Sequence, residues 1–297
     1  AYGARKAFFR TCSLNPSLFN VLCLLFDRSR FILEVLCRHP EIMEEILALQ
    51  VNRKKDRDTI LAEIRLGPDD DSFARWLWLF VKAEQVRIAI NQLFDIYDIE
   101  DVQLELTQLA EAAVTVVLEK VDPGGELAIV ALGKFGGMEM SLGSDLDLIV
   151  MGSGNDYEHE LRITRDLIKQ LGFKHPLGET FEVDLRLRPH GKDGPLVSTP
   201  EALRRYHRDR AHPWEVQILA RARPVAGNTG LIDAFLAFRT DVVWKDGFTA
   251  DQLDSVQDTR ERALREKGDV DPPERAFKVG RGCIVDIELV SQLAQIQ

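Results

Sequence analysis

Apolar residues recur at three- and four-residue spacing through the first third of the chain. In "SLFNVLCLLFDRSRFILEVLCR" (17–38) this spacing lays an apolar face along one side, the signature of an amphipathic helix. "HPEIMEEILAL" (39–49) predicts another helix, with Pro40 at a first turn, where its missing amide has no partner to lose. "LGPDDD" (66–71) breaks the pattern and "SFARWLWLFVKAEQVRIAINQLFDIY" (72–97) resumes it, followed by a further helix over roughly 101–120. At "DPGGE" (122–126) the period changes. "LAIVAL" (127–132), "DLDLIVM" (145–151) and "TFEVDLRLRP" (180–189) read as strands, and "YEHELRITRDLIKQLGF" (157–173) between the last two reads as a helix ending near Gly172. Beyond residue 200 the helical period returns, interrupted by "RPVAGN" and "GDVDPPE".

The pattern predicts an α+β fold, a mixed sheet embedded between helical regions. Residues 1–120 form a helical lead-in, 121–199 an α/β catalytic core and 200–297 a helical follow-on that is truncated. With 297 residues the chain can bury more than one core. It opens without Met or a signal-peptide pattern and closes on helix-forming residues, so it reads as a piece of a longer protein. No apolar run approaches the ~20 residues of a membrane span. "LFNVLCLLF" is soon followed by Asp27, Arg28 and Arg30. The net charge of −10 argues against a general nucleic-acid binder. Cys12, Cys23, Cys37 and Cys283 lack metal-ligand spacing, so reduced thiols in a cytoplasmic protein are expected. His175, His190, His207 and His212 show no paired metal spacing and read as surface residues, His190 being a candidate for substrate contact because it follows "RLRP". Trp76, Trp78, Trp214 and Trp244 read as packing residues.

The chemistry concentrates in "GKFGGMEMSLGSDLDLIV" (133–150). Side chains alternate along a strand, so Asp145 and Asp147 share a face while Leu146 and Leu148 face the core. Aspartate is disfavoured in strands and two like charges repel, a repulsion that a divalent cation relieves. Hard carboxylate oxygens suit Mg²⁺. In "EVDLRLRP" the same alternation puts Glu182, Asp184, Arg186 and Arg188 on one face. If the two strands are neighbours, Asp184 joins Asp145 and Asp147, and three carboxylates can hold two metals ~3.5–4 Å apart. A surface charge ladder would account for the arginines but not for the glycine-rich lead-in. There, Gly133, Gly136, Gly137 and Gly143 permit close backbone approach, and exposed amides with Ser144 and Lys134 could cradle a triphosphate. The spacing matches neither the phosphate loop nor the dinucleotide fingerprint.

A Gly-Gly turn, an Asp-x-Asp strand and a later single Asp together resemble the DNA-polymerase-β-like nucleotidyltransferases. Four ordered blocks, "LGKFGGMEMSLGSDLDLIV", "FEVDLRLRPHGKDGPLVSTPEAL", "WEVQILARARPVAGN" and "KVGRGCIVDIE", with the helical "SRFILEVLCRHPEIMEEIL" ahead of them, narrow the resemblance to the glutamine synthetase adenylyltransferases. That family is bifunctional: one half transfers AMP from ATP to a tyrosine of glutamine synthetase, and the other removes it by phosphorolysis, releasing ADP. The PII signalling protein and glutamine govern the two in the full-length protein. The resemblance implies one catalytic half on this chain, with Asp145, Asp147 and Asp184 as catalytic and Mg²⁺-binding residues. It implies ATP as substrate, with Gly136, Gly137, Ser144, Lys134, Arg186 and Arg188 near its phosphates. Glutamine synthetase and PII are the implied partners, with no nucleic acid and no membrane.

"SDLDLI", "EVD", "WE-x-Q" with "RAR" and "IVDIE" look like the transferring half, and "GPLV" like the removing half; the transferring half is the expectation and the removing half its alternative. Glu215 with Gln217, and Arg221 with Arg223, fall on an expected helix at two-residue spacing, each pair splitting across faces. Arg221 and Arg223 read as structural ion-pair partners or as ligands, and Asp286 and Glu288 as helix-start acids or a second carboxylate shell. Cys283 stands where the family usually has a glycine, a strained position should it require a positive φ. A glycosyltransferase using Asp-x-Asp and a non-catalytic regulatory module of the same fold are the remaining alternatives.

Overall fold

The chain's computed structural model describes residues 10, 13, 16–38, 53–176, 178–267 and 277–297. The helix expected over 39–49, Cys12 and the break at "GDVDPPE" lie outside the described residues. The architecture is α+β, with helices flanking a mixed open sheet. The chain packs as two compact units, each assembled from several segments: Ala1–Val117, Met138–Asp145 and Leu167–Glu182 in the first, and Leu118–Gly137, Leu146–Asp166 and Val183–Gln297 in the second.

The first unit holds helices α1 (Pro16–Arg28), α2 (Arg30–Arg38), α3 (Arg57–Arg65) and α4 (Phe73–Leu93), and most of α5 (Ile99–Val121). The apolar stripe read from residues 17–38 is buried as expected: Leu22, Leu25, Ile32, Val35 and Leu36 pack against Ala83, Val86, Ala89 and Ile90 of α4. Asp56 starts α3 by accepting the Thr59 amide at 2.8 Å. The unit also holds a fully buried guanidinium. Arg87 donates to Glu84 at 3.0 Å, to the Tyr97 hydroxyl at 3.1 Å and to the Arg53 carbonyl at 3.1 Å, and also pairs with Glu105. Lys55 bridges Glu84 and Glu63 at 2.8 and 2.6 Å. These charges join α3, α4 and α5, and each is compensated, as burial demands.

A one-turn helix and the strands of the main sheet belong to the second unit, where the element order runs β1 (Leu127–Ala131), α6 (Gly133–Gly136) and β2 (Leu146–Gly152). Helix α7 (Tyr157–Leu171) follows, and then the hairpin of β3 (Lys174–His175) and β4 (Gly178–Glu179), which lies in the first unit. The sheet continues with β5 (Val183–Asp184) and β6 (Val197–Ser198). After helices α8 (Pro200–Asp209) and α9 (Pro213–Leu219) it closes with β7 (Arg223–Gly227). β1 lies between β2 and β7, antiparallel to both, while β5 and β6 pair in parallel with successive stretches of the other edge of β2. "RPVAGN", read as an interruption, is therefore a strand. Pro224 lacks an amide and fits because β7 ends the strand order.

Helices α10 (Thr229–Val243), α11 (Ala250–Lys267) and α12 (Ile284–Ile296) complete this unit. Its core sets Ala128, Val130, Ile149 and Met151 of the sheet against Leu203, Leu219, Phe235 and Phe238.

Lys82 on α4 is half-buried, its ammonium donating to Gln85 at 3.2 Å and the Thr180 carbonyl at 3.5 Å. Burial pulls its pKa down from 10.5 to about 8. Between those two values the unfolded chain binds more protons than the fold does, so native stability rises with pH through that window. Lys82→Met is therefore expected to raise Tm at pH 7, and thermal melts at increasing pH should see the advantage shrink from about pH 8 and level off near pH 10.5.

Candidate active site

Asp145 immediately precedes β2, and Asp147 is its second residue. The parallel pairing of β2 with β5 sets Leu146 opposite Val183 and Asp147 opposite Asp184. Carboxylate oxygens of Asp145, Asp147 and Asp184 accordingly lie within 4.8 Å of one another. Leu146 and Leu148 are buried, while Asp145 and Asp147 are half-exposed, as strand alternation predicts. The donor set consists of carboxylate oxygens alone, hard ligands that fit Mg²⁺ and do not fit a metal preferring nitrogen or sulfur.

β5 is much shorter than the strand expected over 180–189. Asp184 turns the chain itself: its Oδ1 accepts the Arg186 amide at 2.7 Å, a local bond that competes with the sheet ladder. Its Oδ2 accepts Arg186 Nε at 2.7 Å. Arg186 beside it holds the Asp184 carboxyl below the usual carboxylate range, its hydrogen bond being the main cause. The predicted face of Glu182, Asp184, Arg186 and Arg188 thus ends at Asp184. Arg188 is buried, and its guanidinium donates to the carbonyls of Leu185 (2.6 Å), Lys192 (2.9 Å), Gly194 (3.1 Å) and Pro195 (3.1 Å). It organises the loop after β5, a task invisible to strand alternation.

The glycine-rich lead-in contains α6, a single turn carrying Lys134. Gly133 has φ +53°, and a side-chain carbon there would stand 2.4 Å from Asp147 Oδ2, so only a bare Cα allows the turn to lie against that carboxylate. A Cβ at Gly137 would meet the Arg221 guanidinium at 2.5 Å. Arg223 donates to the carbonyls of Gly136 (3.3 Å) and Phe135 (3.2 Å), satisfying the open end of α6. Ser144 closes the loop ahead of β2, its hydroxyl accepting the Ser141 amide at 2.9 Å.

Arg221 and Arg223 are not on the helix expected for them. α9 ends at Leu219, Arg221 lies in the turn beyond it and Arg223 opens β7. Glu215 stays on α9, where it accepts the His212 amide at 2.8 Å and the Tyr206 hydroxyl at 2.5 Å. Asp286, in the first turn of α12, accepts Arg260 Nε at 2.6 Å and the Gly282 amide at 2.5 Å, and Arg260 holds its carboxyl below the usual range. The strain foreseen at Cys283 is absent: its φ is −95°, and Gly282 before it takes the left-handed conformation at φ +75°. His207 is not a free surface side chain, since its ring packs on Phe238 and bonds the Leu203 carbonyl at 2.9 Å. His190 is exposed, its ring meeting Tyr206 edge-on at 4.6 Å.

The sequence pattern gave no warning of a cleft of about 290 Å³ within the second unit. Gly133, Trp214, Gln217, Arg221, Arg260 and Glu288 are among its lining residues. Arg221 and Glu288 face each other there at 3.5 Å. These residues come from three of the quoted sequence blocks and from α11. Two-residue spacing on a helix scatters side chains, so their convergence depends on how α9, α11 and α12 pack.

A family model described as glutamate-ammonia ligase adenylyltransferase matches residues 19–238. The bifunctional glutamine synthetase adenylyltransferase/adenylyl-removing enzyme of Xanthomonas axonopodis pv. citri (strain 306) is 32% identical over 97% of this chain and 34% of its own length. The enzyme of the same description from Hahella chejuensis (strain KCTC 2396) is 31% identical over 99% of this chain and 35% of its own length. That of Stenotrophomonas maltophilia (strain K279a) is 30% identical over 97% of this chain. The chain spans about a third of the length of these curated relatives.

The two loop arginines should separate in a stability measurement. Arg188→Ala leaves buried carbonyls without a donor and is expected to destabilise the fold by about 2–3 kcal/mol in urea titration. Arg186→Ala, at a largely exposed ion pair, should change stability by no more than about 1 kcal/mol.

Proposed function

The chain belongs to the glutamate-ammonia ligase adenylyltransferase family, and from that membership we propose that it carries one nucleotidyl-transferring centre acting on glutamine synthetase. The reaction is Mg²⁺-dependent transfer of AMP from ATP to a tyrosine of the synthetase, in the service of nitrogen assimilation. The observation that carries this reading is the convergence of Asp145, Asp147 and Asp184 at the pairing of β2 with β5, beside a glycine-rich turn.

The tyrosine oxygen attacks the α-phosphorus and gives up its proton to solvent, a new phosphorus–oxygen bond forms, and the bond to the β-phosphate breaks as pyrophosphate leaves. Asp145, Asp147 and Asp184 would hold Mg²⁺, two ions in the fullest arrangement. Bound there, the metal supplies charge neutralisation for the triphosphate and the attacking oxygen. The protein's own contribution is positioning and electrostatics. Asp184, kept ionised by Arg186, is a weak proton acceptor, so its part is to orient the tyrosine hydroxyl and balance positive charge. The bare Cα of Gly133 lets the turn approach Asp147, and Gly136, Gly137, Lys134 and Ser144 are the groups we assign to the triphosphate. Arg186, exposed and paired with Asp184, is the arginine we assign to the phosphates, whereas Arg188 is committed to its loop. Control by PII belongs to the longer protein.

Incubating the 297-residue chain with glutamine synthetase, Mg²⁺ and ATP labelled at the α-phosphate should place label on a synthetase tyrosine. The label should fall by at least about a hundredfold in Asp145→Asn, as expected when an electrostatic group of a transfer centre is removed. ADP release from adenylylated synthetase and phosphate, without labelling, would assign the adenylyl-removing reaction instead. Labelling undiminished in Asp145→Asn and Asp147→Asn would overturn the carboxylate centre.

A further inference from the structure

We propose that the cleft beside Gly133 is the subsite for the adenine base, with Gln217 and Gln292 as the amides that read its edge. The inference rests on the nucleotidyl transfer proposed above and deepens it by saying where the nucleoside sits.

Three observations carry it. The first is location. Gly133 lines the cleft and also lies against the Asp147 carboxylate, so a nucleoside in the cleft directs its phosphates toward the aspartates. The second is size and character. At about 290 Å³ the space suits a nucleoside rather than a macromolecular segment, and Trp214, Ile218, Val256 and Leu289 give it apolar walls suited to a flat aromatic ring.

The third is the state of the polar groups. Arg260 is already engaged by Asp286 and by the carbonyls of Val279 (2.8 Å) and Gly280 (3.2 Å). Arg221 faces Glu288 and covers Gly137. That leaves the two amides. Gln217 is buried to nine-tenths and donates through Nε2 to Gln292 Oε1 at 2.7 Å. Among the described residues that bond is the one hydrogen bond either side chain makes. Gln217 Oε1 and Gln292 Nε2 therefore remain, one acceptor and one donor. Adenine offers the complement, an exocyclic amine that donates beside a ring nitrogen that accepts. Reversing both amides preserves a donor beside an acceptor, so the match does not depend on how the amide ends are assigned.

The test measures binding of Mg·ATP and Mg·tripolyphosphate, which lacks the base, to the full chain by calorimetry. The variants are Gln217→Leu, Gln292→Glu and Asp147→Asn, each checked for a cooperative melt. Gln292→Glu keeps the size of a half-exposed side chain and removes its donor, so it tests the inference even if Gln217→Leu fails to fold. The inference expects both glutamine variants to weaken ATP by about tenfold or more, the size of one or two hydrogen bonds, with tripolyphosphate unchanged. Asp147→Asn should weaken both ligands. ATP binding unchanged in the glutamine variants, or lowered in step with tripolyphosphate, would place the base elsewhere and overturn the subsite while leaving the transfer reaction standing. Failure of the wild-type chain to bind either ligand would overturn both.

Discussion

Like charges confined within 4.8 Å of one another repel, and the features around Asp145, Asp147 and Asp184 follow from that constraint. Two of the aspartates are partners in the strand pairing, so their backbones cannot separate without unpairing β2 from β5. One is partly neutralised by Arg186, which also completes the turn that ends β5. Another has the bare Cα of Gly133 against it, where any side chain would push it away. What this leaves is a cluster of carboxylate oxygens whose remaining negative charge a hard cation is suited to balance.

Around it, arginines do structural work that releases the chain to approach the carboxylates. Arg223 satisfies the end of α6, Arg221 lies over Gly137, and Arg188 gathers the loop after β5 by its carbonyls. A guanidinium presents several donors in a rigid plane, which suits it to collecting carbonyls that sheet pairing does not satisfy. The same chemistry would make these residues good phosphate ligands, and a sequence alone does not separate the two uses.

That ambiguity marks how far the sequence could be read. Short apolar runs bounded by turn residues located β1 and β2 within a residue or two, and face alternation brought Asp184 toward Asp147, because both rest on local geometry. The same alternation failed past Asp184, since an aspartate that bonds the amide two residues on ends a strand, and "VDLRLRP" carries no periodic mark of it. β7 was missed because a proline within "RPVAGN" hides an edge strand, and the cleft was missed because Gln217, Arg260 and Gln292 meet through helix packing. Gly282 rather than Cys283 takes the left-handed turn, a choice that only backbone angles disclose.

The central claim is that the three aspartates form one cation-binding centre. Titrating the chain with Mn²⁺, a paramagnetic stand-in for Mg²⁺, and following free ion by electron paramagnetic resonance tests it most directly. The account predicts saturable binding, strengthened by a non-hydrolysable ATP analogue and weakened by about tenfold or more in each of Asp145→Asn, Asp147→Asn and Asp184→Asn, as the loss of a ligand implies. Binding that survives all three substitutions unchanged, or no saturable binding with the analogue present, would contradict it.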